Sequence, residues 1–392
     1  MTSANPKGAQ VSLASADSLV ETLAQLVEIA SENPPGFTAA ICSLIAQRLE
    51  PFGYRLSILS EEPACDNLVA TLGEGPPHLM FTVHVDTVGV TDRAAWGSEP
   101  LVLSQRAGRL YGLGVSNAKA CAAVHIALAE ALAAAGGPPR GTVSFTFVTD
   151  DENVGPRGAS YLRRQGLRPD YLVVGAPTRN ALVLEERGVM WVAVETYGLA
   201  AHAGAPDAGD NAIERMGRMI AHLQTDLFPA IRARGDARLR STVNLGRISG
   251  GSNTNVVPDR CRIEIDRRLL ASETVEGAYA EIVASLARAG EPTGRWSSEL
   301  MRGTNAFRSA PDGKLASAAA AAIEIATGEP ARYLTALGAG DGRYFAGDSV
   351  QIICMGPGDG AESHCPDEFV RLGEFQQSLA IHWRFLNAMF DP

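Results

Sequence analysis

Three short segments of this chain carry side chains able to bind cations and move protons. His84 and Asp86 stand in HVDTV, at the C-terminal end of an apolar run. Residues two apart on a strand share a face, so Asp86 can orient the imidazole of His84; taken alone, a strand-end histidine bonded to a neighbour explains the pair as well. Asp150, Asp151 and Glu152 end a second apolar run, TVSFTFVT. Adjacent carboxylates repel, so one can keep a proton and shuttle it while another binds a cation; an acidic turn in water is the plainer account. His364 lies in GPGDGAESHCPDE, a glycine-rich segment able to bring a lone histidine back over a sheet edge. His202, in YGLAAHAGAP, is equally ambiguous. Asn255 follows in SNTNVVPD and Arg268 in IDRRLL. The donor fork of Arg268 can clasp a substrate carboxylate, or simply pair with Asp266 on the surface.

The elements around these residues fix where they sit. Ser18 and Glu21 have capping-box spacing at the head of a helical pattern over 18–31, and a second helix is expected over 37–49. YRLSILS, NLVATLG and HLMFTVHVDTV read as strands, 117–135 as an alanine-rich helix, TVSFTFVTD as a strand, 159–165 as a helix and YLVVGAP as a strand. Strands alternating with helices predict an α/β layer around a buried sheet, with ligands at the C-terminal ends of the strands. From residue 188 the rhythm becomes strand, helix, two strands, helix, strand, the ferredoxin-like βαββαβ order. The α/β pattern resumes after about residue 303, with a helix over 313–327, the strand VQIICMG and a last helix over 374–389. The expected division is therefore 1–187 and 303–392 for one domain, with 188–302 inserted.

With 392 residues, 46% of them hydrophobic, the chain can bury more than one core. A net charge of −10 and the lack of a Lys/Arg-rich run argue against nucleic-acid and membrane-surface partners. No apolar stretch approaches a membrane span, and the first ten residues lack a secretory pattern, which predicts a cytoplasmic protein. The six cysteines fall in no paired spacing, as expected for reduced thiols.

Seven segments in order, HVDTV, YGLGVSNAK, the acidic DDE, GAPT, GLAAHAGAPDAGDNAIERM, NVVPDRCRIEIDRRL and GPG with SHCPDE, resemble the two-zinc amidohydrolases that include acetylornithine deacetylase, succinyl-diaminopimelate desuccinylase and glutamate carboxypeptidase. The resemblance implies a zinc-peptidase-like α/β catalytic domain with an inserted ferredoxin-like lid or dimerisation domain, and a homodimer. It implies metal ligands at His84, Glu152 and His364, a general base at Asp151, and His202 reaching into the partner's site to stabilise an oxyanion. Asn255 and Arg268 would bind the substrate. Two aligned carboxylates are missing: the bridging aspartate is Asn117, and the glutamate before Pro-Thr is Ala176. The base is the shorter Asp151.

An amide carries no net charge and bridges cations poorly, so two dications lack their counter-charge here. The cofactor expectation is one zinc or cobalt ion per chain, or none. Asn117 then becomes a substrate-binding position. Cys121 and Cys365 could supply a thiol, although buried spectator cysteine is the simpler reading. Three functions follow: hydrolysis of a small carboxylate-bearing N-acyl amino acid or dipeptide with a reduced metal site, metal-independent acyl transfer, condensation or cyclisation in the same pocket, or ligand binding without turnover.

Overall fold

The computed structural model describes residues 2–4, 10–90, 92–336, 338–347 and 349–390. The chain forms two compact units, one from Met1–Leu184, Ser309–Leu334 and Gly340–Pro392, the other from Glu185–Arg308 and Thr335–Ala339.

An eight-stranded sheet organises the first unit, in the order Tyr333–Leu334, Leu182–Val183, Gln351–Met355, Tyr171–Gly175, His78–His84, Gly141–Val148, Asp66–Glu74, Arg55–Ser60. The four central strands, from Gln351–Met355 to Gly141–Val148, run parallel, and the last two are antiparallel to their neighbours. Parallel strands covered on both faces must be apolar throughout, and Leu79–His84 is buried at every position. His84 pairs with Val148 and Gly175 with Met355, so the four strands end together on one edge.

The expected helices form with shifted ends. The first is Ala16–Glu28, because Ser15 rather than Ser18 is its cap: the Ser15 Oγ accepts the Ser18 N–H at 3.1 Å. The alanine-rich helix begins only at Ala120, preceded by an irregular turn at Val115–Lys119 in which Asn117 and Ala118 leave helical geometry. Ala120–Ala134 is buried nearly all round, between the sheet and the terminal helix Leu372–Phe390. A small three-stranded sheet of Ser104–Arg106, Arg109–Tyr111 and Phe369–Arg371 was not foreseen; three-residue polar strands carry no readable periodicity.

The second unit has the expected βαββαβ order. Its sheet runs Thr242–Gly250, Arg260–Leu269, Gly188–Tyr197, Trp296–Thr304, every neighbour antiparallel. Helices Ala212–Asp226 and Val275–Arg288 lay Met216, Met219, Leu223, Ile282 and Leu286 on Val192, Val194, Ile263 and Ile265. Arg267 is wholly buried and donates to Glu273 at 2.7 Å and Glu281 at 2.8 Å. Its charge is tolerable there because it is paired.

The core of the first unit holds two buried imidazoles, His125 and His382, with ring centroids 5.7 Å apart among Phe81, Phe145 and Phe385. Burial, and for His125 also its neighbour His382, depresses both below the ordinary 6.5, His382 to about 4. Above pH 6.5 both are neutral whether folded or unfolded. As the pH falls from 6.5 towards 4, the unfolded chain takes up protons that the folded core refuses, and stability is lost. Replacing His125 with Leu should remove its share of that loss. The unfolding free energies of H125L and wild type should diverge by about 1.4 kcal/mol per pH unit below the ordinary histidine range, in urea melts at about pH 7 and about pH 5.5. Parallel pH curves would contradict this account of His125.

Candidate active site

The common edge of the four parallel strands collects the predicted residues of the first unit. His84 is the last residue of its strand; Asp150, Asp151 and Glu152 follow the end of Gly141–Val148, Ala176 follows Gly175, and His364 lies on the loop after Met355. Asp150 takes no part in a free acidic turn. Its carboxylate is held by the Arg157 guanidinium at 2.7 Å and the Arg157 N–H at 3.1 Å, its backbone is left-handed with φ of 70°, and a Cβ on Gly155 would come within 1.7 Å of it. That anchorage turns Asp151 and Glu152 towards His84.

His84 is buried, and its Nδ1 lies 3.0 Å from the Asp86 carbonyl oxygen and 3.4 Å from the Asp86 carboxylate. Asp86 therefore orients the imidazole with main chain and side chain together. The Asp86 carboxylate also accepts from Asn33 Nδ2 at 2.8 Å and from the Glu152 N–H at 3.3 Å. Burial alone would lower the pKa of His84, but the Asp86 hydrogen bond and the charges of Asp151, Asp86 and Glu152 raise it well above its ordinary value. Its Nε2 faces Asn117 Oδ1 at 3.2 Å and Asp151 Oδ2 at 4.0 Å.

Asn117 is the centre of the cluster. Its Nδ2 is 3.1 Å from Glu152 Oε1 and 3.0 Å from His364 Nε2, and those two atoms are 3.1 Å apart. The half-exposed His364 has its pKa raised, chiefly by the Glu152 hydrogen bond.

Three residues that the sequence did not single out support this arrangement. Glu368, buried, accepts the N–H groups of Gly114, Ser116 and Asn117 at 3.0, 2.8 and 2.9 Å. It thereby draws the Asn117 turn out of helical geometry. Burial pushes its carboxyl up to about 7, against the lowering effect of those donors. Arg343, buried, donates to Asp151 Oδ1 at 3.2 Å and to the Tyr344 hydroxyl at 3.0 Å. Asp341 is buried beside it, its carboxyl pushed well above the ordinary range by burial and by the charge of Asp151. The acid and arginine inside the glycine-punctuated GAGDGRYF were the available signal.

Cys121 and Cys365 do not enter the cluster. Their thiols face the carbonyls of Pro357 at 3.8 Å and Glu362 at 3.2 Å, and burial raises the pKa of both. All six cysteines are free.

His202, Asn255 and Arg268 belong to the second unit. The exposed loops of His202 and Asn255 lie side by side, with the Ala203 N–H donating to the Asn255 carbonyl at 3.0 Å. Arg268 Nε donates to Asp266 at 2.9 Å, the surface pair that the sequence offered as one alternative.

A two-cation centre does not fit these donors. The Ala176 methyl supplies no ligand; among the described residues, the group at bonding distance from His84 Nε2 is a neutral amide, and Glu152 is the carboxylate in contact with the side chains of both Asn117 and His364. Among the described residues, no set of three or more His, Cys, Asp or Glu side chains is placed to hold a metal ion. No helix among them is long and apolar enough to cross a membrane.

Residues 80–388 match the profile of peptidase family M20/M25/M40. The chain is 29% identical over 385 residues to N-acetyl-L-citrulline deacetylase of Xanthomonas campestris pv. campestris, covering 94% of this chain and 98% of that one. It is 30% identical over 352 residues to acetylornithine deacetylase of Proteus mirabilis, covering 84% and 85%. Its fold superposes with a TM-score of 0.71, at 16% identity over 96% of this chain and 98% of the other, on the Bacillus subtilis YXEP protein, described as a dinuclear metal binding peptidase from M20 family.

Glu368 is the positioning group of the turn at Asn117, and only an acceptor on both oxygens satisfies three N–H donors. E368Q should lose about 1–3 kcal/mol of stability through a mismatched buried donor, measured by denaturant unfolding at about pH 8.5, where the raised carboxyl is ionised. Stability equal to wild type would show that the turn holds itself.

Proposed function

The chain belongs to peptidase family M20/M25/M40, and from that premise we propose that it hydrolyses the amide bond of a small N-acyl amino acid or dipeptide-like substrate bearing a free carboxylate. One observation carries the reading: His84, Asp151, Glu152 and His364 converge at a single strand edge with their proton-carrying atoms within 4.0 Å of a neighbour in the group or of Asn117. The names of the two deacetylases, matched over most of both chains, support the substrate class.

Asp151 serves as general base. It takes a proton from water while the water oxygen bonds to the amide carbon, and returns that proton to the nitrogen as the C–N bond breaks. Arg343, fixed on the other carboxylate oxygen, keeps Asp151 in one orientation through both transfers. Asp86 and Asn117 hold His84 and Glu152 in place. His202 of a second copy donates to the oxyanion, with Asn255 on the substrate backbone and Arg268 on its carboxylate. In this scheme residues 188–302 form the dimerisation and lid domain between two catalytic segments, 1–187 and 303–392. Zinc or cobalt held at Glu152 and His364 would supply a Lewis acid for the amide carbonyl.

A panel of N-acetyl and N-succinyl amino acids should release free amine, detectable with an amine-reactive fluorophore. D151N should lower kcat/KM by about 100- to 10,000-fold, the range for a lost acid/base group. R268K should raise KM about tenfold and spare kcat, as expected for uniform binding by a two-pronged donor. Saturable binding of these amides with no amine released would overturn the hydrolase reading in favour of transfer or of binding alone.

A further inference from the structure

Beside the strand edge, and within the same unit, lies a cavity of about 250 Å³. Val88, Val90, Trp96, Leu113 and Pro366 give it apolar walls, and His364, Cys365 and Glu368 complete the lining together with Gly89. His364 belongs to both places: its Nε2 lies 3.1 Å from Glu152 Oε1, and the residue borders the cavity. A substrate carbon held at Glu152 therefore has this space next to it.

The polar members of the lining are already engaged. Glu368 accepts three main-chain N–H groups, the Cys365 thiol faces the Glu362 carbonyl at 3.2 Å, and the Val90 N–H donates to Glu32 at 3.1 Å. Among the described residues, no lysine or arginine lines the cavity. Arg93 and Arg106, on the same stretch of chain as Trp96, are paired with Glu99 and Asp367. An entering carboxylate would find no counter-ion and would face Glu368, and an anion buried without a partner is strongly disfavoured. An uncharged hydrocarbon meets no such penalty. An apolar cavity of about 150 Å³ is large enough for benzene, so this one has room for a ring or a branched chain.

We propose that this cavity receives the acyl group of the substrate and selects an uncharged aromatic or branched aliphatic acyl group, over acetyl for want of filling and over succinyl for want of a cation. The assignment to the acyl group rests on the amide-hydrolase reading. There Asn255 and Arg268, both on the second unit, take the amino-acid part and its carboxylate, which leaves the acyl part to the first unit. Trp96 adds an aromatic wall suited to a ring.

N-acetyl, N-isovaleryl, N-benzoyl and N-succinyl derivatives of the common amino acids, compared at a fixed amino acid, test this. The isovaleryl or benzoyl compound should exceed the acetyl one in kcat/KM by about tenfold or more, and the succinyl one by about a hundredfold or more. Val88 is partly buried. V88F, which fills the cavity, should lower the benzoyl-to-acetyl ratio by about tenfold or more, and V88K, which brings in a cation, should raise the succinyl-to-benzoyl ratio by as much. Circular dichroism establishes that each variant is folded; should either fail, the same change at Val90 replaces it. Isothermal titration calorimetry of the same compounds with wild type reads binding without turnover. Amine released with acetyl or succinyl preferred, or ratios unmoved in the folded variants, would overturn the acyl cavity and leave the hydrolase standing. Tighter binding of the benzoyl than of the acetyl and succinyl compounds, with no amine released from any, would overturn the hydrolase reading and leave the selectivity of the cavity standing.

Discussion

The parallel register of four strands is the constraint on which the rest of this molecule depends. Because Gln351–Met355, Tyr171–Gly175, His78–His84 and Gly141–Val148 run the same way and stop at the same edge, segments distant in the chain discharge their polar residues into one place. The apolar sheet interior beneath makes that place rigid, and the tightly tied loops above leave few alternatives to each side chain. Asp150 on Arg157 and Glu368 on the Asn117 turn illustrate how the loops are tied.

Much of this was legible in the residues. The apolar runs predicted the central strands because parallel strands are apolar on both faces, and the 188–302 pattern predicted the order of the second unit. His84 with Asp86, the acidic triplet and His364 were visible because each sits just past a strand. What escaped was non-periodic. Ser15 took the cap expected of Ser18, since either serine precedes the same apolar stripe. Asp341, Arg343 and Glu368 escaped for another reason: a buried charge is recognised by its partner, and the partners of Arg343 and Glu368 lie 192 and 251 residues away, so GAGDGRYF marks a segment without showing what its charges meet. The division of labour within DDE was equally hidden, as three adjacent acids look alike until Arg157 claims one and Arg343 another.

Substituting an amide for a carboxylate at the centre of such a cluster changes more than its charge. Aspartate offers the same face in both orientations, whereas asparagine has a donor end and an acceptor end, and its neighbours must choose between them. Glu152, His364 and His84 are all within hydrogen-bond distance of Asn117, so orientation of this one side chain decides the proton positions of three others. The Asp151 carboxylate stands 4.0 Å from the same His84 nitrogen, so the amide shares that imidazole with an anion.

The salt link between Arg343 and Asp151 also limits what the cleft can do with that acid. A carboxylate free to pivot could present either oxygen, or both, to whatever enters. Moored to a guanidinium that solvent does not reach, Asp151 keeps one oxygen engaged and has the other to offer the cleft. Any change at Arg343 would therefore alter how that second oxygen is aimed as well as the charge around it.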